Sequence, residues 1–198
     1  MSWRYVRAVI GQDVELAICP VGCSEALVPH FHEEAQISFV LTGWRQFLVN
    51  GCYIDVPARS SCVLPAGVPH QAIDCAPNTV CLNLYVPAEH SLALMSMTRP
   101  LGELFPDMPS FAEDATIACV AVRSGLTREG FTRRFSRCHG MPPHAYRRML
   151  RLNCARQMLR TGTPPAEVAA ATNFADQSHL GRWFRRAFGT TPSRYQLG

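Results

Sequence analysis

Three histidines in the N-terminal half could hold a metal ion. His30 and His32 are separated by one residue, Gln36 follows soon after, and His70 comes at the end of a Pro-Ala-Gly-Val-Pro run. Alternate side chains of a β-strand share a face, so His30 and His32 would point to one side and His70 could join them from a neighbouring strand. Imidazole suits transition metals, and the carboxamide oxygen of Gln36 could complete a partial shell. The pattern predicts a site for zinc, nickel or iron, or else a pocket in which these histidines hydrogen-bond an organic ligand.

The first 86 residues predict the strands that would position this site. Short runs rich in Val, Ile, Leu and Phe are interrupted by Gly, Pro and Asn. Asn50-Gly51 lies between two of the runs and favours a hairpin, because both positions tolerate a positive φ. Many short strands at regular spacing indicate a sandwich or small barrel. The predicted strands are 14–19, 36–41, 45–49, 53–56, 61–64 and 80–86.

The histidine segments resemble the two motifs of the cupin superfamily. The first motif runs His-x-His, three residues, Glu, six residues, Gly, and the second runs Pro-x-Gly-x-x-His, three residues, Asn. This sequence keeps the spacing but has Gln36 for the Glu, Asp74 for the Asn, and Arg59 where the second motif's leading Gly would stand. The resemblance implies a β-barrel, and the loss of an anionic ligand would weaken a cation site.

Two further residues complete the expected effector pocket. Trp44 and Arg45 follow Gly43, and we expect them at the pocket rim, with the guanidinium available to an anionic effector. The predicted pocket therefore consists of His30, His32, Gln36, Trp44, Arg45 and His70.

The nine cysteines offer a rival site. Cys19 and Cys23 are the closest pair, and Cys52, Cys62, Cys75 and Cys81 are scattered over strand-like segments, without a repeated Cys-x-x-Cys spacing. Small buried hydrophobic residues are the favoured interpretation, with a thiol-based sensor as the alternative. The N-terminus lacks the pattern of a secretory signal, so we expect reduced thiols and a cytoplasmic location. No run of about 20 apolar residues is present, and no membrane partner is expected.

Charge divides the chain into unlike halves. Residues 1–110 carry five Arg and ten acidic residues, whereas residues 111–198 carry fourteen Arg and five acidic residues. The chain has no Lys, so every side-chain cation other than histidine is a guanidinium, which suits phosphate and guanine edges. A polyanion is the predicted partner of the second half, and a solvated basic surface is the alternative.

The second half predicts two helix-turn-helix units. Helix-like periodicity begins near Thr116, Thr127 and Asp176 are placed to cap helices, Asn173 takes a turn position, and Gly189 ends the last predicted helix. A long linking helix is expected over 144–159, between the units. The segment 135–146 parallels 184–195 at an offset of 49 residues, which indicates an internal duplication.

Residues 173–195 are similar to the signature of the AraC/XylS family of transcription regulators. The segment reads NFADQSHLGRWFRRAFGTTPSRY, with Asn173 where the family has Gly. The resemblance implies a cupin-like effector-sensing domain at 1–88, a short linker with a helix at 89–114, and a tandem helix-turn-helix domain at 115–198. It implies double-stranded DNA, a small-molecule or metal effector and RNA polymerase as partners, and a homodimer as one assembly state.

The same resemblance assigns roles to residues of the second helix in each unit. Residues expected to face bases are Glu129, Thr132 and Arg133 in the first unit and Gln177, Ser178 and Arg182 in the second. Arginine can fork onto guanine, Gln can pair with adenine, and Glu can accept from cytosine. Residues expected to contact phosphates are Arg128, Arg134, Arg137, Arg185, Arg186 and Arg194.

The predicted function is a sequence-specific regulator without catalysis. Two alternatives remain at this point. One is a metal-dependent cupin enzyme, such as a dioxygenase, isomerase or lyase, in which Glu33, Glu34 and Asp74 would be the only close carboxylates. The other is a constitutive DNA binder with a vestigial barrel.

The segment 87–115 is short and rich in proline, with an amphipathic helix expected at 91–97, so dimerisation through a long helical pair is in doubt.

Overall fold

The computed structural model describes residues 3–7, 15–19, 27–88 and 116–198. Its regular elements in the first half are strands, and from residue 117 onward they are helices, as the sequence predicts. The expected linker helix at 91–97 and Cys23 lie outside the described residues. None of the described helices is both long and apolar enough to cross a membrane.

Two antiparallel sheets enclose the first core. One has five strands in the order β1-β2-β8-β3-β6, and the other has three in the order β5-β4-β7. Buried side chains from both sheets form the interior. The described strands are β1 (Arg4–Arg7), β2 (Glu15–Cys19), β3 (Ala35–Thr42), β4 (Trp44–Val49), β5 (Cys52–Pro57), β6 (Ser60–Leu64), β7 (His70–Cys75) and β8 (Val80–Val86).

Alternation along β4 and the turn after it set the inner face of the smaller sheet. Arg45, Phe47 and Val49 are buried, whereas Trp44 at the start of the strand is exposed. The predicted hairpin is confirmed: Asn50 and Gly51 have φ values of 50° and 81°, and they connect β4 to β5. Positive φ at both central residues gives a turn whose twist matches that of the flanking strands.

Six helices are described after residue 116. They are α1 (Ile117–Arg123), α2 (Arg128–His139), α3 (Pro143–Arg160), α4 (Pro165–Ala171), α5 (Gln177–Phe188) and α6 (Pro192–Leu197). The predicted caps are confirmed, because the Thr127 hydroxyl accepts from the Gly130 N–H and the Asp176 carboxylate accepts from the His179 N–H. These bonds satisfy amide groups that a helix start otherwise leaves without partners.

The predicted duplication is visible in the helices. α1 and α2 form one helix-turn-helix unit, α4 and α5 form the other, and α3 links them. Both second helices end on a left-handed glycine, Gly140 with φ 66° and Gly189 with φ 70°. α6 was not predicted: it begins at Pro192 behind the capping hydroxyl of Thr191, a start signal hidden in a Thr-Thr-Pro run that resembles a turn.

Candidate metal centre and nucleic-acid interface

Three imidazoles meet inside the barrel. The candidate ligand atoms of His30, His32 and His70 lie within 4.8 Å of one another, and all three side chains are buried. The N–H of His30 donates to the carbonyl of His70 at 2.9 Å, and the N–H of His70 donates back at 2.8 Å. The expected strand through residues 30–32 was wrong, since only His30 of these residues makes a strand-like bridge. The predicted convergence of the rings is nevertheless present, and backbone pairing produces it.

Hydrogen bonds select the tautomer that metal binding needs. Nδ1 of His30 donates to the carbonyl of Val28 at 2.8 Å, and Nδ1 of His70 donates to that of Val68 at 2.9 Å. The Nε2 atoms of His32 and His70 are buried without a hydrogen-bond partner. Metal-binding histidines commonly donate their other ring N–H to a carbonyl in this way. The residues present therefore fit a divalent transition metal, which would take the Nε2 lone pairs.

Burial keeps the histidines neutral. Burial is the main factor that lowers the pKa of His30 and His32 well below its usual value, and the neighbouring imidazoles lower it further. Burial also lowers the pKa of His70 to about 4, against a smaller opposing effect of its bond to Val68. Neutral imidazole is the form that binds a metal.

A small cavity adjoins the histidines. His30, Gln36, Arg45 and His70 all line it. The volume open to the centre of a water molecule is about 10 Å³, which is room for roughly one water. The structure thus brings Gln36 and Arg45 to the predicted pocket, together with His32 through its ring contacts. It does not bring Trp44 there, because that side chain lies on the opposite face of β4 and is 41% exposed.

The carboxylates expected near the histidines point elsewhere. Asp74 is exposed and accepts from the Cys75 N–H, and Glu33 is exposed and accepts from Gln157. Glu34 pairs with two arginines of α3. None of these three carboxylates therefore supplies an acid or base directed at the cluster.

The residues expected to face bases lie early in the second helix of each unit. In α2, Glu129 and Arg133 are exposed one turn apart, and Thr132 is half-buried with its hydroxyl donating to a backbone carbonyl. In α5, Gln177, Ser178 and Arg182 are all exposed. Side chains four apart share a helix face, so each unit presents a short polar ridge ending in an arginine.

The six arginines expected to contact phosphates are all exposed. They are Arg128, Arg134, Arg137, Arg185, Arg186 and Arg194. Exposed guanidinium groups around a recognition helix can supply the electrostatic attraction that duplex DNA requires. The contact of each of these arginines with a DNA phosphate stays a prediction.

α3 contacts α5 and the turn that precedes it, through side chains for which the sequence did not predict this role. The Arg148 guanidinium lies 3.4 Å from the centre of the Trp183 ring of α5. Arg151 donates to the carbonyl of Asn173 at 2.9 Å, in the turn between α4 and α5. Asn173 has φ 56°, so it adopts the left-handed conformation expected where the family has glycine.

A buried ion-pair network joins α3 to the barrel. Arg156 donates to Glu15 and Glu34, and Arg160 donates to the same two carboxylates. The Tyr195 hydroxyl also donates to Glu15 and accepts from both arginines. Burial alone would raise the pKa of Glu15 and Glu34, but Arg156 and then Arg160 outweigh it and lower both values. Sequence reasoning missed this network, whose partners are far apart in the chain.

The barrel also completes the C-terminal end of α5. The Val28 N–H donates to the carbonyl of Arg186 at 3.3 Å, the Tyr5 hydroxyl to that of Phe188 at 2.8 Å, and the Trp3 N–H to that of Gly189 at 3.2 Å. A helix end otherwise leaves such carbonyls without partners. The Phe188 ring centre lies 6.4 and 6.3 Å from the centres of two histidine rings of the cluster. The candidate metal centre therefore adjoins the second recognition helix.

A larger cleft lies between the barrel and the helices. Its volume is about 540 Å³, and residues 27–29 form the barrel side. Apolar side chains such as Met149 and Trp183 line the helical side, together with Arg148, Arg185 and Arg186. The cleft is thus apolar with a cationic rim.

Comparison with known proteins identifies the helical half. Residues 120–197 match the family described as "Helix-turn-helix domain". The transcriptional activator RhaS of Escherichia fergusonii is 33% identical over 89 residues, which are 44% of this chain and 32% of RhaS. The uncharacterised regulator YbfI of Bacillus subtilis is 33% identical over 70 residues, 35% of this chain and 26% of YbfI. The chain therefore matches about a third or less of the length of these curated relatives.

A solved structure matches both halves together. ToxT of Vibrio cholerae, in a crystal structure described as bound to an unsaturated fatty acid, aligns with 98% of this chain and 95% of its own, at a TM-score of 0.60 and 9% identity. At this identity the likeness concerns the fold. The likeness and the matched domain define a two-part fold, an N-terminal barrel followed by a helix-turn-helix domain. Residues 120–197 therefore form a domain of the helix-turn-helix type, and relatives that share it are named as transcriptional regulators.

Proposed function

We propose that this protein is a sequence-specific transcription regulator whose affinity for DNA depends on a divalent transition metal bound by His30, His32 and His70. The observation that carries the proposal is the pair of buried Nε2 atoms without partners on His32 and His70. The His32 ring, together with that of His30, adjoins Phe188 of α5. A ligand shifts a conformational equilibrium only by its preference for one state. The contact with α5 gives the cluster a direct route to the second recognition helix.

DNA recognition rests on the two polar ridges. Arg133 and Arg182 occupy corresponding positions, 49 residues apart, and each can fork onto a guanine. A good bidentate pair contributes about 1 to 3 kcal/mol of discrimination. Two such helices on one frame would read two segments of a duplex.

The cavity size favours a metal ion over an organic effector inside the barrel. Only about one water fits beside the histidines. An organic effector is the second candidate, and the cleft of about 540 Å³ supports it. ToxT, whose structure is described with an unsaturated fatty acid, makes such a fatty acid a suitable probe for this cleft.

The DNA part of the proposal can be tested by selecting DNA from a random library with the full chain. We expect a selected site to bind at least about 10³ times more tightly than scrambled DNA at physiological salt. Arg133→Ala and Arg182→Ala should relax base preference, whereas Arg194→Ala should weaken all sequences alike. Equal binding to selected and scrambled DNA, with and without each effector, would overturn it.

The metal part has its own measurement. Calorimetric titration with Zn²⁺, Ni²⁺ and anaerobic Fe²⁺ should show one site that His70→Ala removes. His144→Ala, at an exposed histidine of α3, is the matched control and should keep the site. Metal binding that leaves the affinity for the selected DNA unchanged would refute metal control. The same measurement of DNA affinity with an unsaturated fatty acid would then test the second candidate.

A further inference from the structure

One cation lies in the barrel interior without a carboxylate partner among the described ion pairs. Arg45 reaches inward from β4, is 4% exposed, and lies 5.2 Å from the ring centre of Trp3 and 5.4 Å from that of Phe47. Its Nε is buried without a hydrogen-bond partner, and Cys81 and Cys19 are close enough to interact with the guanidinium electrostatically. Burying a charge without compensation costs several kcal/mol. Because the charge of Arg45 is costly to bury, we infer that Arg45 and the thiols around it have a role beyond packing.

Cys19 and Cys81 are placed to form a disulfide. They are direct partners in the β2–β8 ladder, and both side chains are buried on the interior face. Opposed residues of an antiparallel pair have Cα atoms about 4.5 or 5.5 Å apart. Disulfides span Cα separations of about 4.4 to 6.8 Å. The two sulfurs, which are thiols in this structure, could therefore join with little movement of the backbone.

Arg45 lies close to Cys81. Reactive cysteines lie in electropositive environments, and this guanidinium provides one. Burial raises the pKa of Cys62, another cysteine near Arg45, to about 12.

We propose that Cys19 and Cys81 are a redox-active pair that hydrogen peroxide converts to a disulfide, and that this conversion changes the affinity of the protein for DNA.

The reaction balances without a further reagent. The Cys81 sulfur, having lost its proton, attacks one oxygen of hydrogen peroxide; the O–O bond breaks, and the departing hydroxide takes up a proton and leaves as water. Cys81 is then a sulfenic acid. The Cys19 sulfur attacks that sulfur, the S–O bond breaks, and a second water leaves with the Cys19 proton. Two thiols lose two electrons in total, and one peroxide is reduced to two waters.

The same pair of strands connects the thiols to the helices. Glu15 lies four residues before Cys19 on β2, opposite Tyr85 on β8. The Arg156 guanidinium of α3 pairs with Glu15 and lies 4.6 Å from the centre of the Tyr85 ring. A disulfide at one end of this ladder would restrain two strands whose other end carries the ion-pair network. That network holds the helices against the barrel.

The test treats the reduced full chain with hydrogen peroxide and maps its disulfides by mass spectrometry without reduction. We expect a Cys19–Cys81 disulfide that dithiothreitol reverses. Cys19→Ser and Cys81→Ser should each abolish it, and Cys52→Ser, at an exposed cysteine of β5, should not. Circular dichroism of each variant establishes that it is folded. Because the mapping needs no DNA, it is independent of the proposed DNA function.

The second readout is the Kd for the selected DNA before and after oxidation. We expect a change of at least about fivefold, the lower end of usual coupling between sites, in the wild type and Cys52→Ser and in neither of the other variants. The proposal is overturned if folded wild type forms no Cys19–Cys81 disulfide while its exposed cysteines are oxidised. It is also overturned if the disulfide forms and the Kd stays the same.

Discussion

Removing the negative charge of Glu15 should destabilise the junction between the barrel and α3. Glu15→Gln keeps the shape of the side chain and an oxygen that accepts from Tyr195, but it takes one of two carboxylates from Arg156, whose side chain is 2% exposed. Breaking a buried pair costs about 3 to 5 kcal/mol, because the remaining charge is left uncompensated. Glu34 still accepts from Arg156 at 3.1 Å. We therefore expect a loss of about 3 kcal/mol, at the lower end of that range.

The assay is urea unfolding at pH 7, followed by tryptophan fluorescence. Glu33→Gln is the matched control, since Glu33 is exposed and its partner Gln157 is neutral, and it should change stability by less than about 0.5 kcal/mol. The double variant Glu15→Gln, Arg156→Met removes the cation together with the charge. It should be more stable than the sum of its two single variants predicts. A loss below about 1 kcal/mol for Glu15→Gln, or simple additivity in the double variant, would refute the reasoning.

Three further outcomes follow from local geometry and charge. The pKa of Glu15 and of Glu34 is lowered in the folded protein, so the two carboxylates stabilise the fold above the usual value of 4.5. This stabilisation is lost as the pH falls through the lowered values. Melting curves between pH 7 and 3 should show the loss, and Glu15→Gln should reduce it. Gly189→Ala should destabilise the protein far more than Gly162→Ala in urea titrations, although both positions have a positive φ. A Cβ at position 189 would lie 2.0 Å from Cδ1 of Trp3, whereas a Cβ at position 162 would meet nothing within 4 Å. Equal losses of stability in the two variants would contradict this. Asp176→Ala should cost about 1 kcal/mol through loss of the α5 cap, and an unchanged urea midpoint would contradict it.

Local signals in the sequence were sufficient for much of the fold. The Asn-Gly turn, the caps at Thr127 and Asp176 and the terminal Gly189 are each decided by a few neighbouring residues, and the structure confirms them. Period-two alternation also separates Trp44 from Arg45, so the pattern already contained the reason why both could not face one pocket.

Long-range contacts were not accessible in the same way. Arg156 lies in an arginine-rich helix, where exposure is the ordinary expectation for a charged side chain. Its burial depends on Glu15, 141 residues away, and on Tyr195 of α6. The approach of the three imidazoles was predictable from motif spacing, but their contact with Phe188 required the docking of the two halves.

The completion of α5 by barrel residues limits how this chain can be divided. A fragment comprising only the helices would lose the donors of Trp3, Tyr5 and Val28 at the C-terminal end of α5. It would also leave the side chains of Arg156 and Arg160 without their acidic partners. Grafting these helices onto a different domain would succeed only if the new partner supplied equivalent donors and carboxylates. The barrel and the helices are therefore matched surfaces and not interchangeable modules.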